Sequence, residues 1–166
     1  MGMDVYGNTG GCFRSTIWHW RPLAKLVCRL APTVTRQCKH WQSNDGDGLN
    51  DTNSRKLAKV LRRALADGTV ADALATRDAK LAKMPDKACT TCHGTGIRSD
   101  SLGREQGQTS LLIEEAGHPR HGQRGWCNGC SGRGTVRPSE TWYSLTMADV
   151  QEFADFLDIC GGFQIC

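Results

Sequence analysis

Cys89-Thr90-Thr91-Cys92-His93-Gly94-Thr95-Gly96 returns, thirty-eight positions on, as Cys127-Asn128-Gly129-Cys130-Ser131-Gly132-Arg133-Gly134. Both stretches read C-x-x-C-x-G-x-G, and together they bring four thiols in two tight pairs. Two residues between cysteines let both sulfurs reach one metal ion from a single turn, and a tetrahedral ion then needs a second such turn opposite. Four cysteines in this arrangement are the donor set of a closed zinc site, with Cys89, Cys92, Cys127 and Cys130 as ligands. The trailing glycines, Gly94, Gly96, Gly132 and Gly134, let the chain fold back so that backbone N–H groups point at the anionic sulfurs. One structural Zn²⁺ is the cofactor expected.

Around these motifs, residues 86–138 are rich in glycine and poor in large apolar side chains, with Leu111-Leu112-Ile113 as the only apolar cluster and a candidate short strand. The flanking regions carry helical periodicity. Leu23, Leu26, Val27 and Leu30 recur at i, i+3, i+4 and i+7 behind Pro22, a favourable first helical residue. Leu57, Val60, Leu61, Ala64 and Leu65 mark a second amphipathic helix over about 54–66, with Asn53 or Ser54 as cap and Gly68 past its end. Val70, Leu74 and Leu81 mark a third, over about 69–83. Thr146, with Asp149 three residues on, opens a last helix that buries Val150, Phe153, Ala154, Leu157 and Phe156 and stops at Gly161-Gly162. The opening through Gly11 reads as irregular, Asn44 to Gly48 as a turn region, and Trp142 to Leu145 as extended. Phe13, Ile17 and Trp20 would share a helical face, whereas Trp18 and Trp20 would share a strand face, so periodicity leaves that aromatic stretch open.

The resulting expectation is an α+β protein. A helical part, residues 1–85, is completed by a C-terminal helix, residues 139–166, packing back on it. A zinc-stapled, hairpin-like module, residues 86–138, is inserted between them.

Composition narrows the function. The chain has 166 residues, 39% hydrophobic, with 19 glycines and a net charge of +4. That charge is too mild to argue for nucleic acid or membrane on its own. Nine cysteines is an odd count for a secreted disulfide framework. Residues 1–8 have no basic and apolar leader pattern, and no apolar run reaches the ~18 residues of a membrane span. The reading is a cytoplasmic protein, without a membrane role or an evident small-molecule substrate, whose thiols are reduced or metal-bound.

The motif resembles the cysteine-rich zinc region of the DnaJ co-chaperone family, in which C-x-x-C-x-G-x-G occurs four times and builds two zinc sites. Two repeats here imply one site. The family's J-domain signature, His-Pro-Asp, has no counterpart, since the only His-Pro is His118-Pro119-Arg120 between the motifs. The Phe13…Trp18-His19-Trp20-Arg21-Pro22-Leu23 stretch, the Asn-Asp-Gly turn and the Gly-Gly-Phe163 tail are also similar to small bacterial and phage proteins. That similarity implies a phage-type inhibitor or modulator of a host protein complex.

Other chemistries fit the cysteines less well. Cys89-x-x-Cys92-His93 satisfies the c-type haem attachment pattern, but the lack of a leader pattern and the second, matching motif at Cys127–Cys130 count against it. No βαβ pattern surrounds either pair as in a thioredoxin, and the H-x-E that zinc deaminases pair with P-C-x-x-C is missing. No catalytic residue is expected. Cys28, Cys38 and His40 are a conceivable second metal set, although core or surface thiols are the simpler reading. For partners, the acidic series Asp149, Glu152, Asp155 and Asp158 and the segment from Arg98 to Gly125 are candidate protein contacts. The alternative is a nucleic-acid surface made by the basic helix with Arg55, Lys59, Arg62 and Arg63, joined by Arg120 and Arg124. A third possibility is an enzyme of unspecified reaction.

Overall fold

The computed structural model describes residues 2–166 and is α+β. It divides into two compact units: residues 2–82 together with Trp142–Cys166, and Lys83–Thr141.

In the first unit the chain opens with a hairpin, not with irregular backbone. Strand β1 (Gly2–Gly7) pairs antiparallel with β2 (Cys12–Thr16), setting Val5 opposite Phe13. Met3, Val5 and Phe13 are buried while Tyr6, Cys12 and Arg14 are exposed, the period-two alternation of a half-buried sheet. The glycines and Asn8 at the turn obscured that short alternation. Helix α1 (Ile17–Leu30) follows directly. Thr16 is its cap, accepting from the His19 N–H, and Pro22 lies inside the helix instead of at its first position. A helical turn, α2 (Pro32–Thr35), leads to the loop before β3 (Gly48–Asn50). Helix α3 (Asp51–Ala66) is capped by Asn50, three or four residues earlier than expected, because Asn53 and Ser54 are buried on its inner face. Helix α4 (Thr69–Ala82) completes this half.

After the second unit, the chain returns through helix α6 (Met147–Ile159) and strand β6 (Gly162–Ile165). The capping box of Thr146 and Asp149 closes as expected, with each side chain bonded to the other's backbone N–H. Strand β6 inserts between β1 and β3, giving the order β2-β1-β6-β3. Gly48 is obligatory at this seam. A Cβ there would collide with the Phe163 carbonyl group.

The core lies between this sheet and helices α1, α3 and α6. Trp20, Phe153 and Phe163 are fully buried at its centre. Trp20 stacks on Trp41 at 6.1 Å and meets Phe153 edge-on at 5.6 Å. Both buried indole N–H groups are satisfied, Trp20 donating to the Trp41 carbonyl and Trp41 to the Thr35 carbonyl. Trp18, which precedes Trp20 in the same helix, is exposed.

The second unit contains little regular structure: the two-residue strands β4 (Lys87–Ala88) and β5 (Thr135–Val136), paired antiparallel, and the short helix α5 (Ser101–Glu105). In place of the strand expected at Leu111–Ile113 there is a single bridge between Leu112 and Arg124. In place of a fully extended 142–145, a 3₁₀ turn runs from Ser139 to Trp142.

Candidate metal centre

The β4–β5 ladder sets the two cysteine motifs side by side, and the Cys89 N–H donates to the Gly134 carbonyl at 2.8 Å. Each motif then folds the same way. In the first, the Gly94 N–H donates to the Cys89 carbonyl, the Thr95 N–H to the Cys92 carbonyl, and the Gly96 N–H to the Cys92 Sγ at 3.2 Å. In the second, the Gly132 N–H donates to the Cys127 carbonyl, the Arg133 N–H to the Cys130 carbonyl, and the Gly134 N–H to the Cys130 Sγ at 3.1 Å. Among the described residues, the non-glycine positions with positive φ are His93 and Ser131, one after the second cysteine of each motif. The structure therefore repeats what the sequence repeats.

The glycines interlock the two turns. A Cβ on Gly96 would collide with the Gly132 carbonyl oxygen, and one on Gly134 with the Gly94 carbonyl oxygen. Both positions also have positive φ, at 75° and 82°, where side chains are disfavoured.

Four buried sulfurs result. Cys89 and Cys127 are 3.9 Å apart, Cys92 and Cys130 3.7 Å, and all four ligand atoms lie within 4.8 Å of one another. A tetrahedron with metal–sulfur bonds of about 2.3 Å has edges of about 3.8 Å, so the two closest pairs already have the spacing of a tetrathiolate. Among the described residues no other three His, Cys, Asp or Glu side chains converge in this way; Cys28, Cys38 and His40 do not. Burial drives the Cys130 thiol up to about 12; the Gly134 N–H opposes that rise, and the sulfurs of Cys92, Cys127 and Cys89 add to it. Burial raises Cys127 as well. Burial also pushes Cys89 upward, but N–H groups of Cys92 and Thr91 and the sulfurs of Cys92 and Cys130 outweigh it and bring it to about 7. A divalent cation binding here would have to displace the protons of Cys127 and Cys130.

Two residues between the motifs tie the turns together. The Arg120 guanidinium donates to the carbonyls of Gly96 (2.9 Å), Arg124 (3.0 Å), Gly125 (3.1 Å) and Gly132 (3.5 Å). The buried His118 accepts the Arg120 N–H at Nδ1, so its Nε2 carries the proton and donates to the Ser131 carbonyl at 2.8 Å. Arg98 adds a bond to the Asn128 side chain. The sequence offered Arg120 only as a candidate nucleic-acid contact and His118 only as part of the lone His-Pro. Their internal partners are backbone carbonyls, which side-chain identity does not reveal.

The remaining candidate residues are dispersed. Arg55 pairs with Asp51, and Arg62 pairs with both Asp155 and Asp158, so members of the basic and acidic series neutralise each other. Arg124 donates to the Ser110 carbonyl. Lys59, Arg63 and Glu152 are exposed, and Asp149 serves the α6 cap. Compared with protein-family models, with curated proteins and with solved structures, the chain matches none. No helix among the described residues is long and apolar enough to cross a membrane.

Proposed function

We propose that Cys89, Cys92, Cys127 and Cys130 hold one structural zinc ion, and that the chain is a non-enzymatic, zinc-stabilised module for protein interaction. The observation that carries this reading is the closed set of four buried sulfurs. Four protein donors complete a tetrahedron, whereas catalytic zinc keeps one position for water or substrate. All-thiolate donors favour zinc over the harder magnesium or calcium, and the resemblance to DnaJ-type zinc modules supports the same ion.

The metal's role is to hold the segment between the turns on a rigid base. That segment exposes Leu102, Leu111 and Leu112, apolar side chains suited to a protein contact. A cytoplasmic setting and a phage-type action on a host complex fit this reading.

Metal analysis should find one zinc per chain, and cobalt substitution should give the intense charge-transfer bands of a tetrathiolate. A spectrum indicating bound water or only three sulfurs would sink the structural role. For the interaction, the double variant Leu111→Glu, Leu112→Glu should keep its metal yet lose the proteins that the wild type retains from host extract. An unchanged capture profile would dismiss that surface.

A further inference from the structure

Exposed aromatic rings gather at one corner of the first unit, away from its core. Trp18, at the start of α1, is 43% exposed and Trp142 is 63% exposed. Trp18 lies 5.2 Å from the Tyr143 ring and 6.5 Å from that of Trp142, centroid to centroid. The corner is braced. Arg21 donates to the Tyr143 hydroxyl at 2.8 Å and sits 5.8 Å from its ring centroid, and Arg77 donates to the Tyr143 carbonyl. The rings are thus displayed on a fixed base, and the core has no use for their outer faces.

The same helix supplies charge of one sign. From Ile17 to Leu30 it carries Arg21, Lys25 and Arg29 and no acidic residue. At 100° per residue, Trp18, Lys25 and Arg29 fall within about 20° of one line along the helix and Arg21 flanks it, with successive cations about 6 Å apart in rise. Lys25 and Arg29 are exposed. Of the acids near these residues in the chain, Asp78 is paired with Arg77, and Glu140 accepts from the Ser139 hydroxyl.

We propose that this corner binds single-stranded nucleic acid: bases stack on Trp18 and Trp142, and the phosphates that follow run along Arg21, Lys25 and Arg29. Exposed indole rings at the head of a cationic track are what a sequence-tolerant single-strand site requires. A protein hot spot would also use Trp, Tyr and Arg, but the patch around it is depleted of lysine. Here the helix that carries Trp18 adds Arg21, Lys25 and Arg29 and no acid. This surface belongs to the first unit and includes neither the α3 cations Arg55, Lys59, Arg62 and Arg63 nor any residue of the cysteine motifs. It therefore stands or falls independently of the proposed protein contact.

The test is fluorescence anisotropy of labelled oligo-dT and oligo-U, each about 12 nucleotides, with the full zinc-loaded chain. Binding should appear at low salt and weaken on a log–log plot with a slope of about −2, as three cations on a single strand imply. Trp142→Ala and Lys25→Glu should each weaken it about tenfold or more, with unchanged melting temperatures, because both side chains are exposed. Lys59→Glu with Arg63→Glu should leave it unaltered. Absence of binding at low salt would overturn the proposal. So would binding indifferent to Trp142 and Lys25, or poly-glutamate displacing the oligonucleotide at matched charge, which would assign the corner to an acidic polypeptide.

Discussion

Residues 2–82 with 142–166 are held by a core in which Trp20, Phe153, Phe163, Leu57 and Leu61 are wholly shielded from water. In residues 83–141 the corresponding centre is four sulfurs with Val136 packed against them. One chain thus orders two regions by different means: apolar burial in the first, and in the second polar cross-ties converging on a site that a metal would complete. A region with two-residue strands and one helical turn cannot bury enough apolar surface to offset its backbone entropy. For this region, ligand binding and folding are expected to be the same event.

That contrast can be broken experimentally. Chelation has the largest expected effect, since structural zinc in finger peptides is worth about 10–16 kcal/mol at neutral pH. Amides within 83–141 should lose hydrogen-exchange protection, while those of α3 and α6 keep theirs. Acid should act in the same direction. Cys130 and Cys127 are held above the ordinary thiol range without metal, so binding displaces their protons and affinity must fall as pH falls. A metal titration between pH 8 and pH 5 checks the sign, and a pH-independent affinity would contradict the tetrathiolate.

Trp20→Ala should do the reverse. Removing a fully buried indole costs about 3–5 kcal/mol, so the first region should melt early in a thermal scan. Metal content should remain at one ion per chain. If chelation and this variant each abolish both regions together, the two are not independently stabilised.

Arg120→Ala sharpens the comparison within the second region. It withdraws the donor from the carbonyls of Gly96, Arg124, Gly125 and Gly132, an expected loss of about 1–3 kcal/mol. Metal transfer to a chromogenic chelator should accelerate while the melting of the first region is unchanged. Arg120→Lys should rescue poorly, because a point ammonium cannot reproduce the planar fork. Thr146→Ala, the smallest change, removes half of the α6 capping box. It should cost about 1 kcal/mol, read as a modest drop in the melting midpoint with no effect on metal retention.

The cluster of four cysteines is legible in the repeated motif itself, because cysteine spacing and trailing glycines are local requirements written in adjacent residues. Helical stripes are legible for the same reason, down to the buried face of α6. The sheet is not. β3 and β6 are short, flanked by glycine or turn residues, and pair with strands far along the chain, Leu49 meeting Phe163 and Ile165 meeting Val5. Periodicity over four to six residues cannot signal such a partner.

The four clustered cysteines, the α+β character and the amphipathic helices all follow from spacing within a few turns of chain. Tertiary structure alone decided that Arg62 faces Asp155 and Asp158, that Arg120 and His118 turn inward to carbonyls, and that Trp18 and Trp142 stay outside while Trp20 is buried. The physical reason is the same in each case. Whether a charge or a ring meets water, a carboxylate or a carbonyl depends on distant backbone brought near by folding, and side-chain type records the capacity to bond but not the partner.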